Sequence, residues 1–322
     1  MALYITYDNQ ELTDGLGAQA LRIIGIYSIA QRYRIKYIHS PIRETIEEFA
    51  HGITDEDDLL KLIDRSNDFF YLPSDSYDSF FDLEFRIRNL SFRLLARMLL
   101  RYKFSRKSVL LRVCLPFGIT DRNPDIYKYA IEHLRIRNSQ LLTQHAELKM
   151  VLHFRMGYGQ TTQVSSHVKP RFLPIEYYLS IIKVITEKGL NKGIDNLVIH
   201  TDLSNRRVLW MPSQKRLQQN ISFGEDIFDG KVIVPKNDVY EMFKSVEGLN
   251  VSVEYCADFL ETFIEMVNSD ILIISRSAFS YLAALFNENL VIYPSNHGHS
   301  PLTNWITSDS LGIQMDYRLI PG

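Results

Sequence analysis

The sequence has few cysteines, little net charge and no long apolar run, and each shortage excludes a class of protein. Two cysteines in 322 residues are too few for a disulfide scaffold or a thiolate zinc site, and they favour a reducing compartment. No uncharged apolar stretch approaches the ~20 residues that span a bilayer. A formal net charge of −2 argues against a general nucleic-acid binder, because phosphate binding requires a basic surface.

The N-terminal residues lack the features of a secretory signal. The chain reaches Asp8 without a basic segment followed by an apolar core. We therefore expect a cytoplasmic protein, with a soluble catalytic fragment of a larger or anchored protein as the alternative. Hydrophobic residues at 46% and charged residues at 23% are typical of a folded chain, and the length suits two domains.

Strands and helices alternate in the second half of the sequence. Apolar, β-branched runs predict strands at residues 150–154, 196–201, 231–234, 251–255, 270–274 and 290–293. The segments between them predict helices at residues 174–187, 237–244, 258–268 and 278–286. This alternation is typical of a parallel sheet covered by helices on both faces.

The first half is predicted to be more helical and less regular. A strand at residues 3–7 leads into a long helix at residues 18–33, and a further helical region follows Pro124. The regular alternation starts near Lys149. We therefore predict one domain at residues 1–148 and a second at residues 149–322.

The segment from Arg86 to Arg112 is strongly basic. It holds nine lysines and arginines and no acidic residue. Arg93, Arg97 and Arg101 recur every four residues, which predicts one charged helix face. A solvated helix face is the favoured interpretation. The alternative is a surface for an anionic glycan, an acidic partner or a lipid headgroup, with peripheral membrane contact through this segment.

A glycine-containing turn follows the first predicted strand. The run DGLGAQ at residues 14–19 opens the long helix, where glycines allow a ligand close to the backbone and the helix start attracts an anion. The run is not a complete dinucleotide-binding fingerprint. A tight turn that needs glycine explains it equally well.

A histidine and an arginine end the strand that opens the second half. His153 and Arg155 alternate there and are expected to share one face. Ligands of open α/β sheets bind beyond the carboxyl ends of strands, and a guanidinium matches the geometry of phosphate. Arg155 is therefore a candidate for stabilising a leaving diphosphate. The alternative is a surface ion pair beside a packed histidine.

Hydroxyl groups cluster where a later strand enters a helix. Ser275, Ser277 and Ser280 occur within six residues, and Ser275 or Ser277 could cap the helix. The same hydroxyls could also cradle an anion together with the N–H groups of the helix start, and both interpretations can hold. A different strand ends before Asp202, whose carboxylate could accept hydrogen bonds from a base or a ribose.

The order of these motifs resembles that of the α1,2-, α1,6- and protein O-fucosyltransferase superfamily, and is closest to α1,2-fucosyltransferase-like enzymes. The matching residues are Gly15, Leu16, Gly17, Gln19, His153, Arg155, Gly157, Asp202, Ser277, Phe279, Ser280 and Pro294. The run from Asn268 to Pro294 is the most specific part. The chain departs from the pattern at Met156 and Tyr158, where that superfamily carries a second arginine and an aspartate.

The resemblance implies a glycosyltransferase-B type α/β fold, in which two Rossmann-like domains face a central cleft. The first domain would take the acceptor and the second the nucleotide-sugar. The implied reaction is an inverting, metal-independent transfer of a sugar, L-fucose from GDP-fucose, to a glycan hydroxyl, without a cofactor.

The resemblance also implies roles for individual residues. Arg155 would hold the β-phosphate together with the helix start at Ser277 and Ser280, and His153 and Asp202 would face the nucleotide. The remaining donor-binding candidates are Gly15, Gly17, Gln19, Ser275 and Phe279. Asp14 is a candidate for the catalytic base by its position.

Other interpretations of the donor and of the activity remain open. The same fold could use another GDP- or UDP-linked sugar, and Met156 and Tyr158 make a catalytically inactive nucleotide-sugar or glycan-binding protein conceivable.

His297 and His299 are spaced like a metal pair, but the nearest acid is Asp309, so no metal is assigned.

Overall fold

The computed structural model describes residues 3–9, 15–43, 56–77, 80–102, 106–142, 147–155, 173–201, 239–255, 257–295 and 297–313. These residues divide into two compact units. The first takes the described residues as far as Leu141 together with His299–Leu302, and the second takes the others. Each unit has a parallel sheet with helices, so the predicted α/β class with two Rossmann-like halves is confirmed.

The first unit is built on a four-stranded parallel sheet. Its elements are β1 (Leu3–Tyr7), α1 (Leu16–Tyr33), β2 (Lys36–Ile38), α2 (Glu56–Phe69), β3 (Leu83–Asn89), α3 (Phe92–Tyr102), β4 (Val109–Leu115), α4 (Phe117–Thr120) and α5 (Lys128–Arg137). The strand order is β2-β1-β4-β3. Helix α1 is apolar around most of its circumference and is buried along most of its length, as expected for a helix within a core.

The second unit is built on a six-stranded parallel sheet. Its elements are β5 (Lys149–Phe154), α6 (Ile175–Glu187), β6 (Asn196–Thr201), α7 (Val239–Phe243), β7 (Asn250–Tyr255), α8 (Phe259–Val267), β8 (Ile271–Ile273), α9 (Ala278–Phe286), β9 (Leu290–Tyr293) and β10 (Ile306–Thr307). The order is β10-β9-β8-β5-β6-β7. Counted from β5, this is the 6-5-4-1-2-3 order of a Rossmann sheet, which reverses between β5 and β8.

Alternate residues of β5 face different layers of the second unit. Met150, Leu152 and Phe154 join the apolar core that includes α6 and α7. The other residues of β5 point to the opposite face, where Lys149 contacts α8 and His153 contacts α9. The pleat therefore separates an apolar face from one that carries polar side chains toward the strand ends.

Most elements predicted for the second half are confirmed. Strands 196–201 and 290–293 and helix 278–286 have the predicted bounds, and the other predicted elements among the described residues differ by one or two residues at an end. Strand β10 was not predicted. The strand predicted at residues 231–234 lies outside the described residues. Within the described part of the chain, no helix has both the length and the apolar character needed to cross a membrane.

The first half contains more strands than the sequence analysis predicted. The unit contains β2, β3 and β4, which the sequence analysis did not predict. The basic segment is a strand, a helix and a strand, and only Arg93, Arg97 and Arg101 share the predicted exposed helix face on α3. Strand β3 was hidden because it lies at the sheet edge, where exposed polar residues break the apolar pattern.

A buried amide stabilises the junction between α8, α9 and β9. Asn287 Nδ2 donates to the main-chain oxygens of Met266 and Ser269, both at 2.9 Å, and its Oδ1 accepts from Asn289 N at 2.7 Å. We expect Asn287→Ala to lower the free energy of unfolding by about 2 kcal/mol, because the hydrogen bonds of a buried amide are lost.

Urea denaturation measures this loss. The control is Asn191→Ala at a half-exposed site of the same unit, which should change stability by no more than about 0.5 kcal/mol. Equal losses in the two variants would contradict a specific role for the Asn287 amide.

Candidate functional site

The carboxyl ends of β5 and β8 lie side by side at the centre of the second sheet. The two strands pair in parallel from Met150↔Ile271 to Leu152↔Ile273. The strand order reverses between them, so their connections leave in opposite directions and a crevice is expected beyond the strand ends. The residues that follow these two strands are therefore placed to bind a ligand.

Side chains from the two strand ends contact each other directly. His153 Nδ1 lies 2.7 Å from Ser275 Oγ, and both side chains are buried. The His153 ring also meets the Phe279 ring edge to face, with centroids 5.6 Å apart. The structure thus brings together three of the predicted site residues, which are up to 126 positions apart in sequence.

Two serines complete the start of α9. Ser277 Oγ accepts a hydrogen bond from Phe279 N at 3.2 Å, so Ser277 is the residue that caps this helix. Ser280 Oγ donates to the main-chain oxygen of Ser275 at 3.2 Å and lies 3.4 Å from Ser275 Oγ. The helix start, with its partial positive charge, therefore lies at the carboxyl edge of β8 within a network of hydroxyls.

Arg155 comes directly after β5 at the same edge. Its side chain is half-buried, and it follows His153 by two positions on the pleated chain. Arg155 thus follows the strand that pairs with β8, and its guanidinium carries a permanent positive charge. Of the other predicted residues on this side, Gly157 and Asp202 lie outside the described residues, as do Met156 and Tyr158.

The glycine-containing turn belongs to the first unit. Gly15 caps α1 through its main-chain oxygen, which accepts from Ala18 N and Gln19 N, and Gly17 is buried within the helix. The Gln19 side chain is engaged with the main chain of Arg43, accepting from its N at 3.1 Å and approaching its O at 3.4 Å. Asp14 lies outside the described residues.

Beneath the second-unit site, a carboxylate contacts two basic side chains. Glu265 Oε2 lies 2.8 Å from His200 Nε2, and Glu265 Oε1 lies 2.6 Å from Lys149 Nζ. Burial raises the pKa of the Glu265 carboxyl, but the hydrogen bonds and charges of His200 and Lys149 outweigh it and lower the pKa from 4.5 to about 2. Glu265 is therefore ionised at neutral pH.

A small cavity opens above this group. It has room for about one water-sized group and is lined by His153, His200, Thr201, Ala257, Phe259, Thr262 and Phe279. The rings of Phe259 and Phe279 lie 4.6 Å apart and form an apolar wall. The cavity thus combines imidazole and hydroxyl groups with aromatic surface, as small-molecule sites commonly do.

The sequence analysis did not identify Lys149 or Glu265 as site residues, and in the run from His200 to Asp202 it assigned a role to Asp202 alone. A lysine that opens a buried strand and an acid within the apolar helix α8 were the only local signals. Their partners lie 116 and 65 positions away, so a pattern read along the chain does not pair them.

The two histidines near the C-terminus have aromatic and acidic neighbours. His299 Nδ1 lies 3.0 Å from Asp121 Oδ1 in the first unit, and the His297 ring stacks on Tyr281 in the second, with centroids 5.4 Å apart. Among the described residues, no three histidine, cysteine or acidic side chains are grouped so that they could hold a metal ion.

Comparison with known proteins gives similarity only to solved structures. No family model and no curated protein matches the chain. The structure of POFUT1 in complex with GDP is 11% identical, covers 95% of this chain and 98% of its own, and has a TM-score of 0.43. The E. coli heptosyltransferase WaaC with ADP is 11% identical, covers 95% and 92%, and has a TM-score of 0.40. At this identity and TM-score, conclusions about the chain rest on its own residues.

The low pKa of Glu265 predicts a pH-dependent contribution to stability. A carboxyl whose pKa is lower in the folded chain stabilises it fully above about pH 4.5, and this contribution is lost as the pH falls toward 2. Wild type should therefore exceed Glu265→Gln in the free energy of unfolding by about 2 kcal/mol at neutral pH, allowing for solvent screening.

Urea denaturation at a series of pH values tests this expectation. The difference between the two proteins should shrink between pH 4.5 and 2. The control variant, Glu254→Gln, alters an exposed carboxylate on β7 and should follow the wild-type profile. A difference between wild type and Glu265→Gln that does not change with pH would contradict the assignment.

Proposed function

We propose that the chain is an inverting, metal-independent glycosyltransferase that moves a sugar from a nucleotide diphosphate to a glycan hydroxyl. The observation that carries the proposal is the group formed by Arg155, His153 and the capped start of α9 at the strand-order reversal of the second sheet. Under this proposal the second unit binds the nucleotide-sugar and the first binds the acceptor.

The group suits a diphosphate because two features, a guanidinium and a helix start, each supply positive charge. Arg155 supplies a guanidinium with several N–H donors in a fixed plane. The start of α9 supplies main-chain N–H groups and the positive end of the helix dipole, and Ser277 keeps that start in place by capping it. The helix start is held in place before a ligand arrives, which favours stabilisation of a charge that grows as a bond breaks.

The expected reaction forms one bond to the sugar and breaks another. The acceptor oxygen attacks the anomeric carbon from the face opposite the diphosphate, and the bond from that carbon to the phosphate oxygen breaks. The electron pair of this bond passes to the leaving diphosphate beside Arg155. The acceptor proton passes to a base, for which Asp14 is the proposed residue. A dissociative path, in which the sugar develops oxocarbenium character before attack, is the alternative.

No divalent cation is required in this proposal, because the arginine and the helix start perform the neutralising role that a metal ion often has. The proposed donor is GDP-fucose, on the strength of the motif order that runs from Gly15 to Pro294. Another GDP- or UDP-linked sugar is the second candidate. Met156 and Tyr158, which replace a charged pair of the fucosyltransferase pattern, favour a third: a binding protein without catalysis.

Arg155→Ala tests the proposal in an assay of sugar transfer from GDP-fucose and from UDP- and ADP-linked sugars, with EDTA present throughout. We expect wild type to remain active with EDTA. The variant should lose on the order of 10²-fold in kcat, because a charge that stabilises the leaving group is missing.

Lys183→Ala is the matched control. It removes a cation from the exposed face of α6, in the same unit, and should retain wild-type kcat. Wild-type activity that disappears with EDTA would exclude the metal-independent reaction. An unimpaired Arg155→Ala enzyme would exclude the proposed role of Arg155, and nucleotide binding without any turnover would favour the binding protein.

A further inference from the structure

His200 presents one nitrogen to the protein and leaves the other without a described partner. The side chain is buried, with 4% of its surface exposed, and it lies opposite His153 in the register of β5 and β6. Its Nε2 is 2.8 Å from Glu265 Oε2. Its Nδ1 is inaccessible to solvent and, among the described residues, has no hydrogen-bond partner.

The carboxylate determines which nitrogen carries the proton in the neutral imidazole. An ionised carboxylate can only accept hydrogen bonds, so Nε2 must donate and Nδ1 keeps its lone pair. Lys149 donates to the other oxygen of Glu265 and supports the ionised form. In the neutral imidazole, the hydrogen bond to Glu265 therefore leaves Nδ1 as a hydrogen-bond acceptor.

A buried acceptor without a partner destabilises a folded protein, and most such groups in native structures have one. His200 is also part of the cavity wall, beside His153 and Thr262. The cavity has room for about one water-sized group. The partner that fits there is a small donor, such as a hydroxyl or the N–H edge of a ring.

The position of β6 in the sheet indicates where such a donor comes from. It is the second strand of the Rossmann order, beside β5. In Rossmann folds the carboxyl end of the second strand is near the residue that binds a ribose hydroxyl. A nucleotide whose diphosphate lies at Arg155 and α9 would bring its ribose or its base toward this end of the sheet.

We propose that His200 Nδ1 accepts a hydrogen bond from the bound nucleotide, donated by a ribose hydroxyl or by a base N–H. In this arrangement Glu265 and Lys149 are positioning residues that keep His200 in the accepting tautomer. The inference rests on the proposed nucleotide-binding function. It adds that His200 selects nucleotides that present a hydrogen-bond donor at this position.

Calorimetric titration with GDP, UDP and ADP provides the first test, and the nucleotide that binds wild type most tightly is then used with the variants. His200→Gln keeps a donor for Glu265 but loses the fixed acceptor. It should weaken binding by about 3- to 10-fold, as expected for one hydrogen bond. Glu254→Gln, on the neighbouring position of β7, is the control and should bind like wild type.

Glu265→Gln distinguishes the two sources of the donor. Lys149 would attract the amide oxygen, so the amide NH₂ would face His200 Nε2 and move the imidazole proton to Nδ1. The N–H of a base would then face the N–H at His200 Nδ1, where it finds no acceptor. The nucleotide should therefore bind about 3- to 10-fold more weakly. A ribose hydroxyl could instead accept, and binding should change little.

Deoxynucleotides identify a ribose donor independently. If the 2′- or 3′-hydroxyl is the donor, the corresponding deoxy form should bind wild type about 3- to 10-fold more weakly, and His200→Gln should abolish this difference. If a base N–H is the donor, both deoxy forms should bind wild type as the parent nucleotide does.

Nitrogen-15 spectra of the histidine rings test the tautomer without any nucleotide. Wild type and Glu254→Gln should show His200 with its proton on Nε2, and Glu265→Gln should show it on Nδ1. A proton on Nδ1 in neutral wild-type His200 would overturn the proposal, whatever the chain binds.

The titrations separate failure of this proposal from failure of the proposed function. If wild type binds a nucleotide and His200→Gln binds it equally well, the role of His200 is excluded and the nucleotide site remains. If wild type binds none of the three nucleotides, the proposed function fails, and the role of His200 fails with it.

Discussion

The hydrogen bond between His153 and Ser275 joins residues 122 positions apart, and the candidate site depends on it. It forms because β5 and β8 pair in parallel at the centre of the sheet, so that their carboxyl ends meet. The same pairing places Arg155 and the start of α9 at one edge. A shift of either strand by one residue would turn His153 away from Ser275, because neighbouring side chains of a strand point to opposite faces.

The polar face of this sheet holds charged groups that are unusual in a core. Glu265 contacts both Lys149 and His200, which reduces the cost of removing these groups from water. Replacing such a group by apolar residues is often no worse for stability, so its arrangement is better explained by what it presents to the cavity. The group presents the His200 imidazole to the cavity, and Glu265 and Lys149 keep its Nδ1 as the accepting nitrogen.

The two halves of the chain differ in how well their sequences predicted their folds. In the second half, β6 and β9 each contain a short run of apolar residues, and their bounds were predicted correctly. In the first half, β3 carries exposed arginines at a sheet edge and was not predicted. Its partner β4 is mostly buried, but it begins within the basic segment, whose charges masked its apolar pattern.

The sequence by itself determined the α/β class, the approximate positions of most strands and helices described in the second half, and the candidate residues Arg155, His153 and Ser277. These depend on local composition and periodicity, which neighbouring residues carry. Only the tertiary structure decided that Ser277 rather than Ser275 caps α9, that Gln19 binds the main chain of Arg43, and that Glu265 pairs with Lys149 and His200. Those outcomes depend on which strands become neighbours and on the face each side chain occupies, and such long-range pairings leave no periodic signal along the chain.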